Sequence, residues 1–197
     1  MDGAGVMIEA RSTEACEVLG GRADAGLVLV CDHASNALPA GYGTLGLSAA
    51  DLERHIAYDI GAAQVTRHLS QALGVPAILT RFSRLLIDVN RGEDDPTLIM
   101  RLSDGAIIPG NRHLDAAERA RRIERYYRPY DRAIACVVDA CIGAGRAPAI
   151  IGVHSFTDVW KGVARPWSAG VLWEQDPRIA LPLLAALRAE RGLVIGE

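Results

Sequence analysis

Hydrophobic residues in this chain come in short unbroken runs, each stopped by a cluster of polar side chains. Leu27-Val-Leu-Val-Cys31 halts at Asp32, His33, Ser35 and Asn36, and Ala149-Ile-Ile-Gly-Val153 halts in the same way at His154 and Ser155. Runs without polar alternation suit strands buried on both faces, as in a parallel sheet. Val75 to Thr80 predicts another such strand, Leu85 to Val89 a third or its extension, and Ala169 to Trp173 a further one. Between the runs the spacing predicts helices. One runs from about Ala49 to Leu73, opened by Ser48 and Asp51 and closed by Gly74; another spans Asp115 to about Ile142, with Glu118 at the capping-box position and Pro129 as a kink; the last spans Pro177 to Arg191. The alternation predicts an α/β fold with a mostly parallel sheet. Residues 1–26, glycine-rich and aperiodic, are expected to form a loose arm with at most a short edge strand, and residues 27–197 a single domain.

Composition narrows the function classes. Half of the 197 residues are hydrophobic, enough for a proper core. A net charge of -3 supplies no basic field for nucleic acid or an anionic membrane. No run approaches the roughly 18 apolar residues of a membrane span, and the amino-terminal residues lack the pattern of a secretion signal. The expectation is a cytoplasmic protein whose partner is a small molecule. The oligomeric state is not legible. Cys16, Cys31, Cys136 and Cys141 show no CxxC spacing and read as small buried hydrophobes.

In α/β sheets, ligands bind beyond the carboxyl ends of the strands. Two strands that each deliver a histidine to that edge, His33 and His154, would make half of a metal site if they are neighbours. A third ligand is available from the segment holding His55 and Asp59, which on a helix lie one turn apart on the same face, with Asp51 a turn earlier. The bland reading of that pair is an ordinary intrahelical contact. Zinc, or another divalent metal, suits this donor set.

Arg84, Asp88, Asn90 and Arg91 close a buried stretch and open a long loop, residues 90–111, rich in Gly, Asp and Pro. A guanidinium beside an amide matches a substrate carboxylate, so these four residues are the substrate-binding candidates, an Asp88–Arg91 internal pair being the alternative. Six arginines and three tyrosines between residues 118 and 132 read as a solvated helix face, from which Arg128 and Tyr130 could reach back to the site. Glu174 and Asp176, after the Ala169–Trp173 run, are candidates for a general base, although Asp176 before Pro177 equally suits a helix N-cap. Neither Ser35 nor Ser155 lies in a G-x-S-x-G elbow, which disfavours a serine hydrolase.

The ordered segments CDHASN (31–36), HIAYDIGA (55–62), SRLLIDVNR (83–91), SDG with IPGN (103–111), PYDRAI (129–134) and HSFTDVWKGVARPW (154–167) resemble the N-formylglutamate amidohydrolase family over nearly all of Leu27 to Glu197. The resemblance implies a three-layer α/β fold, with helices on both faces of the sheet, similar to the zinc carboxypeptidases and aspartoacylases. It implies hydrolysis of an N-acyl amide on an acidic amino acid, with His33 and His154 as metal ligands, His55 or Asp59 between them, and Asn90 with Arg91 on the substrate carboxylate. Two departures stand out. Asn36 occupies the place of the glutamate in a His-x-x-Glu pattern, and the sequence stops where the family continues to a further glutamate that resembles the carboxypeptidase base. The main expectation is therefore a metal-dependent N-formylglutamate amidohydrolase. The alternative is a non-catalytic module that binds acidic ligands and has lost its metal or base.

Overall fold

In the computed structural model, which describes residues 5–160 and 162–197, two of the unbroken apolar runs, Leu27–Cys31 and Ala77–Thr80, lie in the interior of a sheet, and Ala149–Gly152 forms its edge. The chain makes two units, Met1–Ser155 and Phe156–Glu197. The first unit holds a five-stranded sheet built from β1 (Arg11–Ser12), β2 (Cys16–Leu19), β3 (Leu27–Cys31), β4 (Ala77–Thr80) and β5 (Ala149–Gly152), in the spatial order β1-β2-β4-β3-β5. The pairs β4–β3 and β3–β5 are parallel, whereas β1–β2 and β2–β4 are antiparallel, so the sheet is mixed. The three parallel strands therefore end at one edge. Leu29 and Val30 of β3 sit opposite Ile151 and Gly152 of β5, which brings the residues after both strands together.

Each face of this sheet is covered. Val18, Val28, Val30 and Ile78 pack with Tyr130, Val137 and Cys141 of α4 (Arg128–Gly143), while Leu29, Cys31, Ala77 and Leu79 pack on the other side with Ala62 and Leu69 of α2 (Ala62–Leu73). Alternate residues of one strand thus feed different cores, the reason these runs carry no polar positions. Fully burying each such Val or Leu contributes about 1.5–3 kcal/mol.

The sequence expectation fails at three places. The helix expected from Ala49 to Leu73 is two helices: α1 (Ala49–Leu52), capped by Ser48, and α2, which starts only after Gly61 at φ 86° and ends at Gly74 at φ 64°. Residues 53–61 form an irregular turn, and Ile56 and Ala57 are buried in it. A left-handed residue admits no helix through it, and glycine takes that conformation without strain. Leu85 to Val89 is buried yet forms turns rather than a strand; Leu85, Leu86 and Ile87 fill two cores beneath the long loop. The amino-terminal arm is not loose over residues 7–22. Met7–Ile8 pairs with Gly21–Arg22, and β2 lies inside the sheet, with Cys16 and Val18 buried and Glu17 and Leu19 only partly so. Four residues are too short a pattern to outweigh the surrounding glycines. Residues 1–4 of the expected arm lie outside the described residues.

The long arginine-rich segment divides into α3 (Ala116–Arg122), a π turn at Ile123–Tyr127, and α4. Asp115 caps α3 by accepting the amide of Glu118 at 2.7 Å. Pro129 cannot donate to the preceding turn and its ring would crowd the carbonyl of Arg125, a conflict that the wider π turn relieves.

In the second unit a hairpin pairs Val159–Trp160 with Val163–Ala164, Ala169–Gly170 runs parallel to Ile195–Gly196, and α5 spans Pro177–Ala189. Among the described residues no helix is long and apolar enough to cross a membrane.

Candidate metal centre

The site of the first unit is built on the turn that follows β3. Thr80, at the end of β4, donates its hydroxyl to the carbonyl of Asp32 at 2.9 Å and accepts the amide of Ala34 at 3.1 Å, fixing the turn that carries His33. The His33 carbonyl accepts the amide of Asp59 at 2.9 Å, which draws residues 53–61 onto this edge. Ser83 secures the same segment from the other side, donating its hydroxyl to the carbonyl of Ala57 at 2.7 Å. His154 arrives from β5, after the Val153 amide has bonded to the carbonyl of Val30.

Three ligand-type side chains converge here: His33, Asp59 and His154 can each place one donor atom so that all lie within 4.8 Å of one another. Asp59 stands between the imidazoles. Its Oδ1 is 3.4 Å from His33 Nδ1, and its Oδ2 is 2.9 Å from His154 Nδ1 and accepts the Ser155 amide at 3.1 Å. The two rings meet edge to face with centroids 5.1 Å apart. His33 and Asp59 are buried, whereas His154 is open to one side.

The outer nitrogens are also held. His33 Nε2 donates to Asp88 Oδ1 at 2.7 Å, and Arg84 grips the other oxygen of Asp88 through Nε and Nη2, at 3.1 and 2.7 Å. His154 Nε2 faces Asp32 Oδ2 at 3.3 Å, and Tyr130 donates to Asp32 Oδ1 at 2.7 Å. Each histidine therefore has a carboxylate behind it and turns Nδ1 towards Asp59, the arrangement that fixes the tautomer of a metal-binding imidazole. His33 Nδ1 is buried without a hydrogen-bond partner. Buried polar atoms are rarely left unpaired, and one aimed at a second imidazole and a carboxylate fits a cation ligand.

The titratable groups of the site act strongly on one another. Burial pushes the His33 pKa down, but Asp59 and Asp88 more than offset it and the net shift is upward. Hydrogen bonds to Asp32 and Asp59 carry His154 to about 9. Burial opposes ionisation of Asp32, Asp59 and Asp88, yet their histidine contacts hold all three below the usual carboxylate range. Among the described residues Arg84 is the arginine paired with these carboxylates, which leaves two of the three negative charges to be balanced. Two imidazolium protons balance them, and so would one divalent ion on neutral imidazoles.

The remaining sequence candidates divide. His55, expected beside Asp59 on one helix face, lies on the irregular turn with Nε2 3.4 Å from Asp104 Oδ2, outside the converging group. Asn36 bonds to the Leu52 carbonyl and Glu53 and brings no carboxylate, so Asp59 supplies the acidic donor. Arg84 and Asp88, expected on the substrate, are committed to each other and to His33 because both are drawn beneath the imidazole. Asn90 and Arg91 are exposed at the start of the long loop, with the Arg91 carbonyl held by the Tyr127 hydroxyl at 2.9 Å. Arg128 binds Glu93 and Glu124 rather than the site. In the second unit Glu174 is exposed, while Asp176 caps α5 and pairs with Arg178, whose hydrogen bond brings its carboxyl down to about 2. Asp32 and Thr80 were not singled out for the site by sequence; the Asp-His dipeptide at a strand end was the available signal for the first. Burial lifts the Cys31 thiol to about 11, removing it as a nucleophile.

A mixed α/β sheet whose parallel strand ends deliver His33 and His154, met by Asp59 from the turn before α2, defines an α/β protein with a candidate metal site. The sequence model of the N-formylglutamate amidohydrolase family matches residues 25–197, and the chain belongs to that family. Among solved structures it is similar to the gene product Atu2144 from Agrobacterium tumefaciens, with 36% identity, TM-score 0.85, and coverage of 92% of this chain and 72% of that one. It also shares the fold of the N-formylglutamate amidohydrolase from Ralstonia eutropha JMP134, at 22% identity and TM-score 0.65, covering 87% of this chain and 70% of that one. No curated protein sequence matches.

Proposed function

We propose that the protein is a divalent-metal-dependent amidohydrolase that removes the acyl group from an N-acylated acidic amino acid such as N-formylglutamate, with zinc as the metal. The observation that carries this reading is the convergence of His33, Asp59 and His154, in which the buried His33 Nδ1 makes no hydrogen bond and lies 3.4 Å from Asp59 Oδ1, in a member of this family. His33, Asp59 and His154 would hold the ion; when bound, zinc supplies a polarised carbonyl and a water whose pKa falls to about 7. The carboxypeptidase-like fold that the resemblance implies belongs to the same reading, as does a cytoplasmic enzyme acting on a small molecule.

Asp88 and Asp32 orient the two imidazoles, and Arg84 balances the charge of Asp88 beneath them. Arg91, with the amide of Asn90 beside it, receives the amino-acid carboxylate, since its guanidinium is exposed while its backbone is anchored by Tyr127. Hydrolysis adds water across the amide: the oxygen goes to the formyl carbon and the proton to the leaving amine, giving formate and glutamate. Asp176, with its carboxyl brought down to about 2, is a poor base for that proton transfer.

The test is release of glutamate from N-formyl-L-glutamate by protein loaded with zinc. Turnover that chelation abolishes is expected. No turnover with any divalent metal would overturn the proposal, and carboxylate binding that survives chelation would identify a non-catalytic binding protein instead.

A further inference from the structure

We propose that Tyr130, acting through Asp32, is the positioning residue that sets the His154 imidazole with Nδ1 presented to the metal. The inference rests on the metal reading above and adds a residue from outside the edge of the sheet. Tyr130 belongs to the core between the sheet and α4, and its ring is almost wholly buried with Val18, Val30 and Val137. Its one polar atom leaves that core at Asp32, 2.7 Å from Oδ1.

Asp32 is thereby held at both ends. Its carbonyl accepts from Thr80, and its carboxylate spans from the Tyr130 hydroxyl at Oδ1 to His154 Nε2 at Oδ2. A carboxylate bonded on one oxygen loses the rotation about its terminal torsion that an exposed aspartate keeps. With Oδ2 fixed opposite Nε2, a neutral His154 keeps its proton on Nε2 and its lone pair on Nδ1, the atom 2.9 Å from Asp59.

The π turn sets this geometry. One extra residue in a helical turn rotates the following helix by roughly 100°. Here it leaves Tyr126 buried under the long loop, Tyr127 on the Arg91 carbonyl and Tyr130 facing Asp32.

The experiment is a double-mutant cycle on zinc affinity, measured by competition with a chromophoric chelator, for the wild type, Tyr130→Phe, Asp32→Ala and the double variant. Asp32→Ala is expected to weaken zinc binding about 10–100-fold, as for outer partners of metal-bound histidines. Tyr130→Phe is expected to weaken it several-fold, and the double variant to bind no more weakly than Asp32→Ala. In zinc-loaded, nitrogen-15-labelled protein the His154 Nε2–H resonance should be present in the wild type and absent in Asp32→Ala. Asp32→Asn, which keeps the shape and loses the charge, should fall between wild type and Asp32→Ala, and it serves if the alanine variant does not fold. Unchanged affinity in Tyr130→Phe, or fully additive losses, would reduce Tyr130 to packing and overturn the inference alone. Failure of the wild type to bind zinc would overturn both this inference and the metal reading.

Discussion

Asp59 Oδ2 lies 2.9 Å from His154 Nδ1 although 95 positions separate the two residues, and it does so because Asp59 sits on a turn rather than a helix. With its other oxygen near His33, Asp59 is the common neighbour of both imidazoles. Asp59→Ala should therefore reduce zinc affinity by more than the 10–100-fold typical of an outer partner. Equilibrium dialysis with metal analysis measures this, and retention of wild-type affinity would remove Asp59 from the ligand set.

Metal should also stabilise the fold. A ligand that binds only the native state adds about 2.7 kcal/mol at 100 times its Kd. In a chain of this size that is a rise in Tm of roughly 5–10 °C. Scanning calorimetry with and without zinc checks the expectation, and chelator should return the Tm to its starting value. His55→Ala should leave the increment intact, because His55 faces Asp104 outside the group.

The difference between His55 and Asp59 shows what the sequence could convey. The apolar run ending at His33 reported a strand buried on both faces, which has no room for polar residues; the run ending at His154 is also a strand, but it lies at the sheet edge with Ile150 exposed, so burial was not what kept it apolar. The spacing of His55 and Asp59 was read with helical periodicity, but α1 ends at Leu52 and residues 53–61 form an irregular turn before α2, which removed its basis. Asp88 was placed on the substrate because it stands beside Asn90 and Arg91, yet a tertiary contact 55 positions away draws it beneath His33. Such pairings depend on which strands neighbour each other, information that local patterning does not hold.

Arg122 departs most from its expected place on a solvated face. It is buried and donates to Glu118, to the Leu86 carbonyl and to Asn111, while Asn111 in turn donates to the carbonyls of Leu85 and Met100. Arg122→Ala would leave several buried acceptors unpaired, and breaking a buried ion pair costs about 3–5 kcal/mol. Urea denaturation should show a loss of that order; a change below about 0.5 kcal/mol would place Arg122 with ordinary surface residues.

Glu118, the partner of Arg122, gives a pH prediction. Burial opposes its ionisation, but hydrogen bonds from Arg122 and Tyr42 prevail and hold its carboxyl below 4.5. A depressed folded pKa contributes stability that is complete above the unfolded value and is lost as pH falls through the folded one. Glu118→Gln should lower the urea midpoint near pH 7, and the difference from wild type should shrink as pH falls below 4.5. A gap that stays constant down to pH 3 would show that the carboxylate charge is not the source.

Arg91 separates binding from chemistry. Its exposed guanidinium touches neither the His-Asp-His group nor Asp88, so Arg91→Ala should leave zinc affinity and the zinc-induced Tm increment unchanged. A charge-assisted hydrogen bond is worth about 1.5–3 kcal/mol, so kcat/KM for N-formylglutamate should fall roughly 10–150-fold, mainly through KM, because the carboxylate is held equally in the ground and transition states. Tyr127→Phe frees the Arg91 carbonyl and should move KM the same way by a smaller factor. A fall confined to kcat in Arg91→Ala would place this residue in the chemical step rather than at the carboxylate.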